Sequence, residues 1–120
     1  MEIKIGEYVR TTDGIFEVTK IDGLYIYLDK EYFDKQYQTM RDVTFKERIL
    51  KHSFNIKELI EDKDIIKVKT KENAILMIGF DENTIDIKYK EIIEEIENGK
   101  YELLEILTHE QYERNCYRIN

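Results

Sequence analysis

The side chains best suited to nucleophilic chemistry are Cys116, the only thiol of the chain, and the two histidines, His52 and His109. Cys116 and His109 are close in sequence, and an imidazole beside a thiol is the arrangement that activates a cysteine nucleophile. No nucleophile elbow and no glycine cluster for an oxyanion accompany this pair. We therefore predict no catalytic residues and no enzymatic activity, with Cys116 buried in a strand and His109 exposed in the first turn of a helix.

Metal and cofactor motifs are also absent from the sequence. No pair of cysteines or histidines has the spacing of zinc ligands. Asp29, Glu31 and Asp34 lie close together, but they lack the Asp-x-Asp-x-Asp-Gly pattern of a calcium loop. There is no glycine-rich phosphate-binding loop. The sequence thus predicts no metal site and no cofactor.

Negative charge is concentrated in the second half of the chain. The formal net charge is −7, and residues 81–113 hold eleven acidic residues against three lysines, a net charge of −8. Such a segment repels the phosphates of DNA and RNA and favours a basic protein surface. The predicted partner-binding residues are Glu91, Glu94, Glu95, Glu97, Glu102 and Glu105. A solvated helix face without a partner is the alternative that this charge pattern leaves open.

A second hypothesis assigns nucleic-acid or ribonucleoprotein binding to the first half of the chain. Its predicted contact residues are Arg10, Lys20, Arg41, Lys46 and Arg48. Tyr25 and Tyr27 would share one strand face, and exposed aromatic rings stack on bases when basic residues flank them. Acidic neighbours surround these rings, so we expect them to fill the core, with a tyrosine-rich protein-binding face as the alternative.

The first half has the pattern of a small β-rich module. Residues 7–28 alternate in polarity and contain two turns with Asp-Gly, Thr12-Asp13-Gly14 and Asp22-Gly23, which predict a three-stranded antiparallel meander. Residues 29–39 are predicted as a polar loop and residues 40–50 as a fourth strand. Ser53 is a candidate N-cap for a short helical turn over residues 55–60.

The second half begins as a strand pattern and then changes period. Residues 74–80, AILMIGF, are nearly all apolar, so we expect them to form the most buried strand. Ile92, Ile93 and Ile96 predict an amphipathic helix at 90–98 that ends at Asn98-Gly99. The other predicted elements are strands at 64–69, 84–89, 101–107 and 116–119, and a short helix at 109–114 whose Thr108 and Gln111 have capping-box spacing.

These elements predict a mainly β, α+β protein built as a tandem of two small SH3-like barrel modules, residues 1–58 and 59–120. A single mixed domain is the alternative, since 120 residues suit one domain or two very small ones. No apolar run is long enough to span a bilayer, and a single cysteine permits no internal disulfide. We therefore expect a cytoplasmic protein that does not bind membranes.

Three segments carry a recognisable pattern: KIGEYVRTTDGIFEV, ILKHSFNIKELIEDKDIIKV and EILTHEQYERNCYRI. In order and spacing they resemble segments of small proteins of clostridial-type Gram-positive bacteria and their prophages. The positions that fit the pattern are Gly6, Arg10, Gly14, Ser53, Asn55, Leu59, Ile60, Asp64, Thr108, Glu110, Gln111 and Tyr117. The chain departs from the pattern at Lys63, where a glycine is usual, and residues 81–100 have no counterpart.

This resemblance implies a phage or mobile-element origin and brings no known reaction and no site residues. Small, acidic phage proteins often act by binding one host protein, and inhibitors of CRISPR nucleases form a well-populated class of them. The expected function is therefore that of a non-enzymatic protein-binding module, most specifically a counter-defence inhibitor in the bacterial host cell. Its partner would be a host or phage protein with a basic surface.

Overall fold

The computed structural model of the protein describes residues 2–61, 63–79 and 85–111, and at 85–89 it describes the backbone alone. The chain divides into two compact units, Met1–Leu59 (unit 1) and Ile60–Asn120 (unit 2). Each unit contains one antiparallel sheet, so the fold is mainly β as predicted. Within the described ranges neither sheet closes into a barrel. No helix in those ranges has the length and apolar character needed to cross a membrane.

Unit 1 is a five-stranded sheet in the order β4-β3-β2-β1-β5. Its strands are β1 (Tyr8–Thr11), β2 (Gly14–Asp22), β3 (Tyr25–Asp34), β4 (Thr39–Phe45) and β5 (Lys51–Ser53), with 3₁₀ helices at Lys46–Arg48 and Ile56–Leu59. The predicted meander is confirmed, because β1, β2 and β3 pair antiparallel in succession. Gly23 has a φ of +61°, which explains why a glycine stands in the turn between β2 and β3.

The prediction of a loop at 29–39 is wrong. β3 continues to Asp34 and pairs with β4, which begins at Thr39. Tyr32 and Asp34 alternate inward within this stretch, and the Tyr32 hydroxyl donates a hydrogen bond to the carbonyl of Val43 at 2.8 Å. The charged residues between Leu28 and Tyr32 are exposed, which is why the segment looked like a loop in sequence. The predicted fourth strand is also shorter, since β4 gives way to the 3₁₀ helix at Lys46.

The core of unit 1 contains one fully buried arginine. The apolar residues of this core are Ile3, Val9, Phe16, Val18, Ile26, Leu28, Tyr32 and Ile49. Arg10, next to Val9 on β1, has no exposed surface, and its Nη1 donates a 2.7 Å hydrogen bond to the carbonyl of Leu59. The bond joins the first strand to the last residue of unit 1. A buried guanidinium is tolerated only where such hydrogen bonds replace those to water.

Unit 2 has a three-stranded sheet and one long helix. The elements are β6 (Ile65–Thr70), β7 (Ile75–Gly79), α1 (Ile85–Glu97) and β8 (Tyr101–Leu107), and the sheet order is β7-β6-β8. The strand prediction at 101–107 is confirmed. The helix ends where predicted, because Gly99 adopts a φ of +78° and its N–H donates to the carbonyl of Ile96 at 3.1 Å.

The core of unit 2 lies between α1 and one face of the sheet. Ile66 and Val68 on the central strand are fully buried. The side chains that pack against this cluster are Ile78, Ile92, Ile93, Ile96, Tyr101, Leu103 and Ile106. The isoleucine face predicted for the helix is therefore its inner face.

Two predictions for unit 2 are wrong. The predicted strand at 84–89 is helical over residues 85–89, and the spacing of Ile85, Tyr89, Ile92 and Ile96 fits a helical period as well. The segment predicted as the most buried strand is instead an edge strand of the described sheet, and Ile75, Leu76 and Met77 are exposed by 56%, 40% and 64%. Only Ile78 of this strand is half-buried, because α1 covers a single face. Phe80 and the predictions at 112–119 lie outside the described residues.

Removal of the buried guanidinium tests the packing of unit 1. We expect Arg10→Met to lower the free energy of unfolding by about 2–4 kcal/mol, because the carbonyl of Leu59 loses a charged donor inside the protein. Urea denaturation measures the change. The exposed Lys35→Met is the control and should change stability by no more than about 0.5 kcal/mol. An equally small change for Arg10→Met would contradict the burial of this side chain.

Paired truncations on neighbouring strands test the layout of unit 2. We expect Ile66→Ala to cost about 2–5 kcal/mol, because Ile66 is fully buried on the central strand. Leu76→Ala should cost less than about 1.5 kcal/mol, because much of that side chain is already in water. Chemical denaturation of both variants gives the comparison, and equal losses would show that the edge strand is as buried as the sequence suggested.

Candidate functional site

Helix α1 presents glutamates on the side opposite its isoleucines. Ile92, Ile93 and Ile96 pack on the core of unit 2, so the helical period turns Glu91 and Glu94 directly outward, with Glu97 at the margin. All three carboxylates are exposed. We call Glu91, Glu94 and Glu97 the acidic face. It is formed by a helix whose backbone is held by packing, so the three glutamates project from backbone positions at helical spacing.

Glu95 differs from these three residues. It is half-buried, and its carboxylate lies 3.5 Å from Nζ of Lys100, which follows the glycine cap. A pair that is partly accessible to water adds little stability, but it neutralises Glu95 locally. Glu95 contributes less negative potential than its neighbours.

Glu102 and Glu105 lie on the other side of unit 2. Glu102 is opposite Lys69 and Glu105 is opposite Lys67 in the β6–β8 register. Lys67 and Lys69 alternate with the buried Ile66 and Val68 along β6. The two lysines and the glutamates opposite them therefore point to the sheet face that α1 does not cover. Lys67 Nζ is 3.5 Å from the Glu105 carboxylate. The structure therefore brings the helix glutamates together and separates the strand glutamates from them.

The basic residues predicted to contact nucleic acid do not form a continuous stripe. Arg10 is buried, so its assignment as a contact residue is wrong: no phosphate reaches a guanidinium with no exposed surface. Lys20 lies over the ring of Tyr27, with Nζ 5.1 Å from the ring centroid. Lys46 is half-buried at the start of a 3₁₀ helix.

Arg41 and Arg48 belong to a cluster of arginine and aromatic side chains. The guanidinium carbon of Arg41 is 4.7 Å from the centroid of Tyr37, and that of Arg48 is 5.0 Å from the centroid of Phe45. Arg48 also forms a 2.9 Å ion pair with Asp34 and donates to the side-chain oxygen of Gln36. Stacking and pairing hold the two guanidinium groups at the protein surface and neutralise one of them.

Asp34 is ionised in the buried part of this cluster. Burial disfavours its charge, but hydrogen bonds from Arg48 and from the backbone N–H groups of Tyr37 and Gln36 outweigh the burial and hold the pKa of Asp34 below its ordinary value. Glu7 behaves similarly, since a hydrogen bond from His52 Nδ1 at 2.9 Å and one from the Lys4 N–H keep its pKa low despite burial. Both carboxylates are structural counter-charges.

A second cluster of chemistry-bearing side chains was missed in the sequence. His109 Nε2 lies 3.6 Å from a carboxylate oxygen of Glu61 and 3.6 Å from one of Glu110. The three side chains are each partly buried, and one ligand atom from each lies within 4.8 Å of the others. Glu61 and His109 are far apart in sequence, so no local spacing indicated a metal site. The capping box at Thr108 and Gln111, which the sequence did predict, is confirmed, and residues 109–111 are helical.

The sequence places His109 near Cys116, but Cys116 lies outside the described residues. His52, the other histidine, pairs with Glu7 in unit 1. The described residues thus contain two candidate sites, the acidic face and the Glu61–His109–Glu110 cluster.

Comparison with known proteins found no matching family model, no matching curated protein and no matching solved structure.

The pH dependence of stability tests the role of Asp34. Because the folded pKa of Asp34 is lowered, its carboxylate stabilises the protein above the unfolded pKa of about 3.9, and this contribution is lost as the pH falls through the folded pKa. We expect Asp34→Asn to cost about 1–3 kcal/mol near pH 7 and progressively less below pH about 4. Urea denaturation of wild type and variant at several pH values measures the difference.

The control for this series is Asp42→Asn, an exposed carboxylate on the same hairpin. It should change stability by no more than about 0.5 kcal/mol throughout. A cost for Asp34→Asn that is the same at pH 7 and at pH 3 would show that shape rather than charge is what Asp34 supplies.

Proposed function

We propose that the protein is a non-enzymatic protein-binding module that uses the acidic face of α1 to contact a basic surface on another protein. Glu91, Glu94 and Glu97 supply the contact charge. Glu95 contributes less because it pairs with Lys100, and Glu102 and Glu105 face the other side of the sheet. The surface thus consists of one helix face rather than the whole acidic segment.

The observation that carries this proposal is the position of three exposed glutamates on one side of a helix whose backbone is held by packing. A helix anchored by three isoleucines loses little conformational freedom when a partner binds its outer face. The negative field of unit 2 accelerates encounter with a basic surface and slows encounter with nucleic acid. The net charge of −8 over residues 81–113 adds to the same field.

The partner class follows from charge and from the resemblance to prophage proteins. A basic channel that holds nucleic acid in a nuclease presents closely spaced lysines and arginines, and an array of carboxylates at helical spacing competes with phosphates for them. A phage counter-defence inhibitor in the cytoplasm of a Gram-positive host is the specific form of the proposal. It rests on sequence pattern together with the acidic face.

Unit 1 is proposed to be an SH3-like module that supports this role. Its strand order, in which β5 returns to pair with β1 after a 3₁₀ turn, supports the SH3-like description. Nucleic-acid binding through unit 1 is the alternative function, with Arg41, whose guanidinium stacks on the ring of Tyr37, as its main contact residue. The burial of Arg10 and the pairing of Arg48 with Asp34 weigh against it.

Charge neutralisation with a matched control tests the acidic face. The triple variant Glu91→Gln, Glu94→Gln and Glu97→Gln keeps side-chain size and helix propensity while it removes three charges. The partners for this test are proteins that the tagged wild-type chain captures from a host lysate. We expect their association with the variant to be slower than with the wild type by about tenfold or more, on the scale of electrostatic steering. Association kinetics at low and moderate salt measure the effect, which should shrink as salt rises.

The control variant carries Glu72→Gln, Glu102→Gln and Glu105→Gln, which remove the same number of charges from a turn and from the opposite sheet face. It should associate within about twofold of wild type if position rather than net charge matters. Equal slowing by both variants would mean that the acidic face has no specific role. Micromolar binding of the wild type to generic DNA or RNA in a mobility-shift assay would instead favour the alternative function of unit 1.

A further inference from the structure

We propose that Glu61, His109 and Glu110 form a binding site for one divalent transition-metal ion, with Zn²⁺ as the best-suited probe. The site is independent of the acidic face, because neither its residues nor its elements belong to that surface. It is a site of unit 2 alone. The inference goes beyond the proposed function, which requires no metal.

The donor set determines the class of ion. One imidazole nitrogen and two carboxylate oxygens are ligands that Zn²⁺ and its neighbours among the divalent transition metals accept. Mg²⁺ and Ca²⁺ prefer coordination by oxygen alone. With a neutral imidazole, the two carboxylates give the cluster a formal charge of −2, which a dication compensates.

The distances are close to those that a metal ion requires. Two ligands at about 2.0–2.1 Å from a tetrahedral zinc lie about 3.3 Å apart. His109 Nε2 is 3.6 Å from each carboxylate oxygen, and all three ligand atoms fall within 4.8 Å of one another. Glutamate side chains have three rotatable bonds, so small rotations of Glu61 and Glu110 bring the oxygens to coordination distance.

Buried hydrogen bonds hold the backbone of the ligands in place. Asp64 is fully buried, and its two carboxylate oxygens accept the N–H of Glu61 at 2.7 Å and the N–H of His109 at 2.9 Å. One carboxylate therefore fixes two ligand-bearing segments that are distant in sequence. The capping box of Thr108 and Gln111 then fixes the helical turn that carries His109 and Glu110. Positioning of ligands by a second layer of hydrogen bonds is a regular property of metal sites.

The ligands are also accessible to an ion. The exposed fractions of the Glu61, His109 and Glu110 side chains are 28%, 25% and 16%. A partly buried cluster weakens screening by water and still leaves a path for entry. A protonated His109 that bridges two carboxylates would account for the same distances without a metal, and the experiment must separate these two states.

Nuclear magnetic resonance of the imidazole rings provides the direct test, because the full chain contains only two histidines. Zn²⁺ added near neutral pH should shift the ring signals of His109 at one equivalent and leave those of His52 in place, with His52→Gln identifying each set. The same concentration of Mg²⁺ should shift neither set. Absence of a Zn²⁺-dependent shift at His109 would overturn the proposal and leave the cluster as a protonated ion pair.

Titration calorimetry with Zn²⁺ then tests the ligands one by one. Glu61→Gln, His109→Gln and Glu110→Gln should each weaken binding by about tenfold or more, since even the loss of a second-layer hydrogen bond to a metal ligand commonly costs that much. Two variants serve as controls. His52→Gln removes the other histidine–carboxylate pair, and Cys116→Ser removes the only thiol. Both should bind Zn²⁺ as the wild type does.

Loss of Zn²⁺ binding in either control variant would place the ion elsewhere and overturn the assignment. Unchanged Zn²⁺ binding in all three ligand variants would also overturn the assignment. Circular dichroism of each variant without metal establishes that it is folded. The resonance test on His109 uses the wild-type site, so it does not depend on the folding of any ligand variant. A failure of metal binding would leave the acidic face untouched, since that surface is tested by association kinetics.

Discussion

The burial of Ile66 and Val68 on the central strand β6 is the constraint on which unit 2 depends. Their complete burial requires a cover on one sheet face, and the isoleucines of α1 supply it. The same packing turns Glu91 and Glu94 outward and leaves Lys67 and Lys69 on the opposite face, where they meet Glu105 and Glu102. Hydrophobic packing therefore decides which carboxylates lie opposite lysines on the sheet and which ones lie on the exposed side of the helix.

Buried charged groups fix the positions that the apolar core leaves undetermined. In unit 1 the guanidinium of Arg10 bonds the carbonyl of Leu59, and in unit 2 the carboxylate of Asp64 bonds the backbone at Glu61 and His109. A buried charge is costly unless its hydrogen bonds are satisfied, so each group holds its partners in one geometry. Within unit 2, this constraint places two glutamates and a histidine around a common point.

Local patterns in the sequence predicted turns and caps, but they failed for the end of β3, for the start of α1 and for burial. Asp-Gly turns and alternation predicted the first meander, and Asn98-Gly99 predicted the end of α1, because turns and caps depend on neighbouring residues alone. The apolar run at 74–80 was misjudged, because an edge strand and a central strand can have the same composition and differ only in what covers them. The burial of Arg10 and the Glu61–His109–Glu110 cluster depend on contacts between distant segments, which spacing along the chain does not report.

Zero-length carbodiimide cross-linking of a captured complex, read by mass spectrometry, tests the central claim most directly. The reagent joins a carboxylate to an amine only where the two are in contact, and the acidic face offers three carboxylates at known positions. If the acidic face binds a basic surface, cross-links to lysines of the bound protein will come from Glu91, Glu94 or Glu97. Cross-links that come only from other carboxylates, such as Glu102 or Glu105, would contradict it.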